Sequence, residues 1–128
     1  MRLLLDTHAL LWWQTGDDRL SARARAAIAD EANEILVSAA SAWEIATKAR
    51  LGKLASVPQA AARFAELVRA DGFLALPITQ AHALRADGYA PPHRDPFDRM
   101  LAAQSELESV PLVTNDPAFE AFGTRTFW

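Results

Sequence analysis

An α/β fold, with a mostly parallel sheet covered by helices on both faces, is predicted by three observations. Short continuous apolar runs recur along the chain: "LLL" before Asp6, "EILV" from Glu34, "FLAL" from Phe73 and "LVT" from Leu112. Strands buried on both faces read as such unbroken runs, whereas half-exposed strands alternate. Longer stretches with recognisable helix caps lie between the runs, the strand–helix alternation of parallel α/β proteins. The 128 residues, 51% of them hydrophobic, suit one packed domain over the whole of 1–128.

Taken in order, Arg2 to Leu5 reads as a buried strand and Thr7 to Trp13 as a short helix. Ser21 is placed to cap a helix reaching about Glu31, because its hydroxyl can accept from a free N–H of the first turn. Glu34 to Val37 is a second strand. Ser38 or Ser41 caps the helix "AWEIATKARL", which carries Lys48 and Arg50 in its last turn and Gly52 as its stop. Pro58 to Ala70 forms an amphipathic helix, Phe73 to Leu76 a third strand ended by Pro77, and Thr79 to Asp87 a helix. Asp95 caps "PFDRMLAAQSELE", with Pro96 at the favoured first helical position. Leu112 to Thr114 is a fourth strand, Asp116 and Pro117 open a short helix, and Arg125 to Phe127 is a last strand. "QTGDD" and "GYAPPHRDP" carry the breakers of loops.

Composition removes several classes of function. Cysteine is absent, which excludes disulfides, zinc–thiolate sites and thiol catalysis. No apolar run approaches the roughly 18 residues of a membrane span, and the three leucines before Asp6 are too few for a secretory signal, so a soluble cytoplasmic protein without membrane contact is expected. A net charge of −3 argues against a basic coat for non-specific nucleic-acid binding, but not against an acidic, metal-neutralised enzyme site.

Asp6 directly follows the first strand, where an unpaired buried charge is costly. Glu44 lies in the helix after the second strand, Asp116 follows the fourth, and Asp98 opens the helix leading into the fourth. In a parallel sheet, function gathers at the carboxyl ends of the strands; three of these positions lie near that edge, and Asp98 can point there too. Each has a structural alternative. Asp6 and Asp116 can cap helices, Glu44 can pair with Lys48 at i, i+4, and Asp98 can favour the positive end of its helix. Together, however, clustered carboxylates repel and must hold protons or cations. Mg²⁺ and Mn²⁺ are hard ions suited to carboxylate oxygens, and they polarise phosphates and activate water. His8, His82 and His93 lack zinc-ligand spacing. His82 reads as a helix-surface residue, while His8 and His93 flank acidic positions within reach of a substrate.

In these segments the chain resembles the PIN-domain ribonucleases, and among them the VapC-type toxins of type II toxin–antitoxin systems. "LLLDTHALLWW", "SAASAWEIATKARLGKL", "HRDPFDRMLAAQ" and "PLVTNDPAF" resemble the family's four acidic segments, in order and over nearly the whole chain. The resemblance implies a PIN-like three-layer α/β/α sandwich and a metal-dependent endoribonuclease. Its catalytic and metal-binding residues would be Asp6, Glu44, Asp98 and Asp116, with Asp6 and Asp98 the direct ligands and the other two acting through water. It further implies Mg²⁺ or Mn²⁺ as cofactor, a structured RNA substrate such as transfer or ribosomal RNA, a VapB-type antitoxin as cognate partner, and a homodimer.

Around this set, Thr7, Thr114 and Asn115 offer small polar groups that orient ligands. Asp95 belongs either to the site or only to its helix cap, and Arg99 either reaches a phosphate or is solvated. Trp12, Trp13 and Trp43 are candidate interface aromatics. Burial is expected for Trp43, and at least one of Trp12 and Trp13 should face outward. A non-catalytic PIN-fold interaction module is the alternative. A phosphoacceptor receiver domain would need an Asp ending the third strand, where "FLALPIT" has none, and a phosphatase would need a second Asp two residues after Asp6, where the chain has His8.

Overall fold

In the computed structural model, which describes residues 1–90 and 94–128, Leu3 and Leu5 join one apolar cluster and Leu4 another. Successive side chains of a strand point to opposite faces, so three consecutive leucines require cover on both sides. Their strand, β1 (Arg2–Leu5), is the middle of a sheet whose other strands are β2 (Glu34–Ser38), β3 (Leu74–Leu76), β4 (Leu112–Val113) and β5 (Thr126–Phe127). All pairings are parallel, in the order β3-β2-β1-β4-β5. Leu4 lies opposite both Leu36 and Leu112, and Leu5 opposite both Val37 and Val113, so rows of apolar side chains run across the sheet.

The helices are α1 (Thr7–Thr15), α2 (Ala22–Ala29), α3 (Ala39–Arg50), α4 (Gln59–Ala62), α5 (Phe64–Ala70), α6 (Gln80–Gly88) and α7 (Pro96–Glu108), with a 3₁₀ helix at Pro117–Phe122. Leu10 of α1, Ile28 of α2 and Ile45 of α3 pack with Leu3, Leu5, Ile35 and Val37 on one face. Ala86 of α6, Leu101 of α7 and Phe119 of the 3₁₀ helix pack with Leu4, Leu36 and Leu112 on the other. This is the α/β/α sandwich expected from the sequence, and the sheet is parallel throughout. Each fully buried leucine contributes about 1.5–3 kcal/mol.

Two elements depart from the sequence reading. The helix expected over Pro58 to Ala70 breaks at Arg63, whose backbone has φ −109° and ψ 19°. Ala60, Phe64 and Val68 all pack on the first cluster. Every fourth residue drifts by about 40° around a straight helix, and the break takes up that drift. The helix after β2 starts at Ala39, ahead of the expected "AWEIATKARL", because Ser38 rather than Ser41 caps it, its hydroxyl accepting from Ala40 N–H at 2.9 Å.

The Ser38 hydroxyl also donates to Gln104 Oε1 at 2.5 Å, and Gln104 Nε2 donates to the Pro77 carbonyl at 3.3 Å. Gln104 is fully buried on α7, so one amide ties the ends of β2 and β3 to that helix. Its apolar surroundings make these bonds expensive to lose, because a buried polar group without a partner costs about 1–3 kcal/mol. Gln104→Ala should therefore lower the unfolding free energy by roughly 2–4 kcal/mol, from the cavity and the orphaned Ser38 hydroxyl together. Urea denaturation read by circular dichroism checks this. A loss below about 0.5 kcal/mol would show that the amide does not anchor α7.

Candidate active site

From β1 the chain moves outward through β2 and β3, then crosses back to β4 and β5 on the other side. The reversal lies between β1 and β4, and open α/β sheets bind ligands in the crevice at the carboxyl ends of such a pair. Asp6 ends β1. Its N–H donates to the Val113 carbonyl of β4 at 3.1 Å, and its Oδ1 accepts from Ala9 N–H at 2.6 Å, capping α1. Only 5% of Asp6 is exposed.

Burial pushes the Asp6 carboxyl up to about 6. Hydrogen bonds from the Thr114 side chain and Ala9 N–H oppose the rise, and the negative charges of Asp116 and Glu44 add to it. Thr114 is buried and its hydroxyl also accepts from Asp116 N–H at 3.0 Å, so this one hydroxyl links the Asp6 carboxylate to the Asp116 backbone. Asp116 caps the 3₁₀ helix by accepting from Ala118 N–H at 2.9 Å. Glu44, 5% exposed, comes from α3, which is registered on α1 by the buried Thr7–Ser41 hydroxyl pair at 3.0 Å. Lys48 donates to Glu44 Oε2 at 2.6 Å, the i, i+4 pair that the spacing allowed.

The structure thus brings Asp6, Glu44, Asp116 and Thr114 together, with Thr7 buried beneath them and Asn115 exposed beside Thr114. Asp98 is half-buried in the first turn of α7, while Asp95 is exposed and spends Oδ1 on Phe97 N–H and Asp98 N–H, at 2.9 and 3.2 Å. The cap accounts for Asp95 without a ligand. Among the described residues no three acidic or histidine side chains have closed around a common point. Even so, the donors are all oxygens, and a buried carboxylate whose charge is opposed by two others is stabilised by a cation. A hard divalent ion fits this set.

Several sequence expectations are corrected. Arg99 is not simply a solvated surface residue, because backbone carbonyls take up its guanidinium. Its Nε donates to the Ala86 carbonyl and its Nη2 to the Asp87 carbonyl, both at 2.9 Å, and Nη2 also reaches the Tyr89 carbonyl. A guanidinium is well placed at the negative end of a helix, and here it binds α6 to α7. His82 is not on the surface; it is 2% exposed. It closes a capping box with Thr79, its Nδ1 accepting from Thr79 N–H at 3.0 Å, which turns Nε2 toward Glu108 Oε1, also 3.0 Å away. Trp43 is 57% exposed, because the buried stripe of α3 runs through Ala40, Ser41, Glu44 and Ile45 and leaves it outside.

Trp12 and Trp13 are both half-buried. Trp128 and the Arg19 guanidinium cover Trp12, while Phe73 covers Trp13, whose Nε1 donates to Asp71. His8 is exposed and stacked on Trp12 at 5.6 Å, and His93 lies outside the described residues. The residue that sequence reasoning missed is Gln104, the partner of Ser38. A glutamine inside the apolar run "MLAAQS" was the available signal.

Comparison with known proteins agrees with this arrangement. The family model described as "PIN domain" matches residues 3–124. Ribonuclease VapC16 of Mycobacterium tuberculosis is 44% identical over 66 residues, 50% of this chain and 47% of that protein, so the match spans about half the length of that relative. VapBC2 from Rickettsia felis, solved bound to a DNA fragment from its promoter, superposes with a TM-score of 0.70 at 13% identity, covering 98% of this chain and 96% of that one. VapBC-1 from nontypeable Haemophilus influenzae gives 0.70 at 15% identity, covering 100% and 97%. FitAcB from Neisseria gonorrhoeae gives 0.66 at 19%, covering 98% and 96%. At these identities the structural likeness is one of fold.

The raised pKa of Asp6 sets a pH dependence. Between the ordinary value of 3.8 and about 6 the folded protein holds a proton that the unfolded chain has released. Stability therefore falls as pH rises through that window, by about 2–3 kcal/mol for a shift of this size. Asparagine keeps the cap and carries no charge, so Asp6→Asn should be more stable than the parent above pH 6 in EDTA, and nearly equal to it at pH 4. Thermal melts across this range check the sign. A variant less stable than the parent at pH 8 would contradict it.

Proposed function

The chain belongs to the PIN-domain family, and from that membership and its acidic site we propose that it is a divalent-metal-dependent endoribonuclease, the toxin of a type II toxin–antitoxin pair, built as one domain over 1–128. The observation that carries this reading is the buried Asp6 carboxylate at the sheet's switch point, destabilised as an anion by Asp116 and Glu44. The similarity to a ribonuclease over half of this chain, and the fold shared with VapBC complexes, support the same reading.

Asp6, Glu44, Asp98 and Asp116 would hold the ion or ions, Asp6 and Asp98 most directly. Bound Mg²⁺ or Mn²⁺ supplies a Lewis acid toward the phosphoryl oxygens and positive charge against the leaving oxygen. The chain's own residues prepare for this. Ala9 N–H and Thr114 fix the orientation of Asp6, the Thr114 hydroxyl holds Asp116 in step with it, and Lys48 balances the Glu44 charge until a cation arrives. Preorganised groups of this kind spare reorganisation in the transition state.

The substrate is a structured RNA, transfer or ribosomal RNA in class, and the partner is a VapB-type antitoxin acting on a homodimer in the cytoplasm. No helix among the described residues is long and apolar enough to cross a membrane.

The purified, antitoxin-free protein should cut a mixture of transfer and ribosomal RNA at discrete positions with Mg²⁺ or Mn²⁺. Cutting should stop with EDTA and fall at least about 100-fold in Asp6→Asn, the scale on which loss of a charge-stabilising catalytic group is felt. Cleavage that survives both would point to a contaminating nuclease. A folded protein that binds Mn²⁺ yet cuts nothing would instead support a non-catalytic interaction module.

A further inference from the structure

We propose that Trp43 is a stacking platform for an unpaired RNA base next to the phosphate being cut, an inference that rests on the ribonuclease reading above. Trp43 is the one aromatic among the large apolar side chains exposed in the described residues. It is held rather than loose. Its ring meets the Phe97 ring edge-on, with centroids 4.7 Å apart and planes at 77°. Trp43 directly precedes Glu44 on α3, and Phe97 directly precedes Asp98 on α7. The aromatic pair thus joins the two helices that carry these carboxylates.

A cleft of about 550 Å³ runs from Trp43 between α6 and α7, lined by Pro96 and Met100 and by the exposed Arg94. The combination is a fixed aromatic face, an apolar floor and two guanidiniums, Arg94 and Arg99, against the one carboxylate of Asp87. A nucleobase is flat and uncharged and suits the ring and floor. The phosphate attached to it suits Arg94 and would be repelled by the carboxylates alone. Aromatic stacking with modest sequence preference is how single-stranded nucleic acid is held in many grooves.

The test uses the Asp6→Asn protein, which keeps the fold without turnover, and a fluorescein-labelled single-stranded RNA 12-mer of mixed sequence with Mg²⁺. A 12-mer of the same backbone without bases is the control, and binding is read by fluorescence anisotropy. Adding Trp43→Ala should weaken binding of the base-bearing oligomer roughly 5- to 100-fold and leave the base-free oligomer unchanged. Trp43→Phe, which keeps a ring against Phe97, should recover most of the affinity. In the active protein, Trp43→Ala should raise KM more than it lowers kcat on the ribosomal RNA cuts.

Equal loss on both oligomers, or no loss on either, overturns the proposal. So does unchanged RNA binding together with a changed sedimentation coefficient, which would make the face a contact between protein chains. Wild-type protein that cuts no RNA overturns the ribonuclease reading, and this one with it. Wild-type protein that cuts RNA while Trp43→Ala binds and cuts as well as its parent overturns this one alone.

Discussion

One buried carboxylate constrains the rest of the molecule. Asp6 ends the middle strand of a parallel sheet, and nothing about a hydrophobic sandwich requires an acid there. Its position brings a charge penalty, visible in a carboxyl pushed up to about 6. The surrounding polar groups are arranged to reduce that penalty in part. The α1 N-terminus donates through Ala9 N–H, and Thr114 donates from the neighbouring strand end. Two further acids then act in the opposite direction. A fold selected for stability alone would replace Asp6 by asparagine, which keeps the cap without the charge. Retaining the charge where it is disfavoured is how functional sites commonly differ from structural ones.

The proposed site also depends on how α7 is seated, because that helix carries Asp98 in its first turn. Two side chains on it reach across to other elements of the molecule. Gln104 binds the ends of β2 and β3 from inside the apolar layer, and Arg99 binds the last carbonyls of α6. The Thr7–Ser41 pair does the same for α3 and α1. Thus the carboxylates sit on separate elements, while polar bonds buried just behind them fix how those elements meet. Apolar packing alone would tolerate small sliding of a helix on the sheet, and directional bonds do not.

The strands were legible because their composition was extreme. Leu3 to Leu5 and Ile35 to Val37 leave no polar face, and the parallel sheet follows from that. Asp6, Glu44 and Asp116 were legible because charge at the ends of such runs is conspicuous. Where the sequence misled, the deciding partner lay far along the chain. Arg99 looked solvated because its three carbonyl acceptors belong to the end of α6 and the residue after it. His82 looked exposed because Glu108, which meets its ring, is 26 residues away. Trp43 looked buried because Ala42, Ile45 and Ala46 surround it in sequence, yet Ala42 is only half-buried and Ala46 is exposed. Small residues on a helix mark close approach or mere permissiveness equally well, and one sequence does not distinguish them.

The grip of Arg99 has a further meaning for how this protein can vary. The end of α6 and the start of α7 are joined covalently by a Pro-rich connection, but they are also joined directly, through a single guanidinium. Because the acceptors of this second link are backbone carbonyls, it does not depend on which side chains stand at Ala86, Asp87 and Tyr89. Substitutions at those three positions therefore need not loosen the start of α7. Arg99 itself is not free in this way. A protein that lost it would still hold α7 through Gln104, the Arg85–Glu106 pair and the His82–Glu108 contact, but would lose the bond nearest the start of that helix.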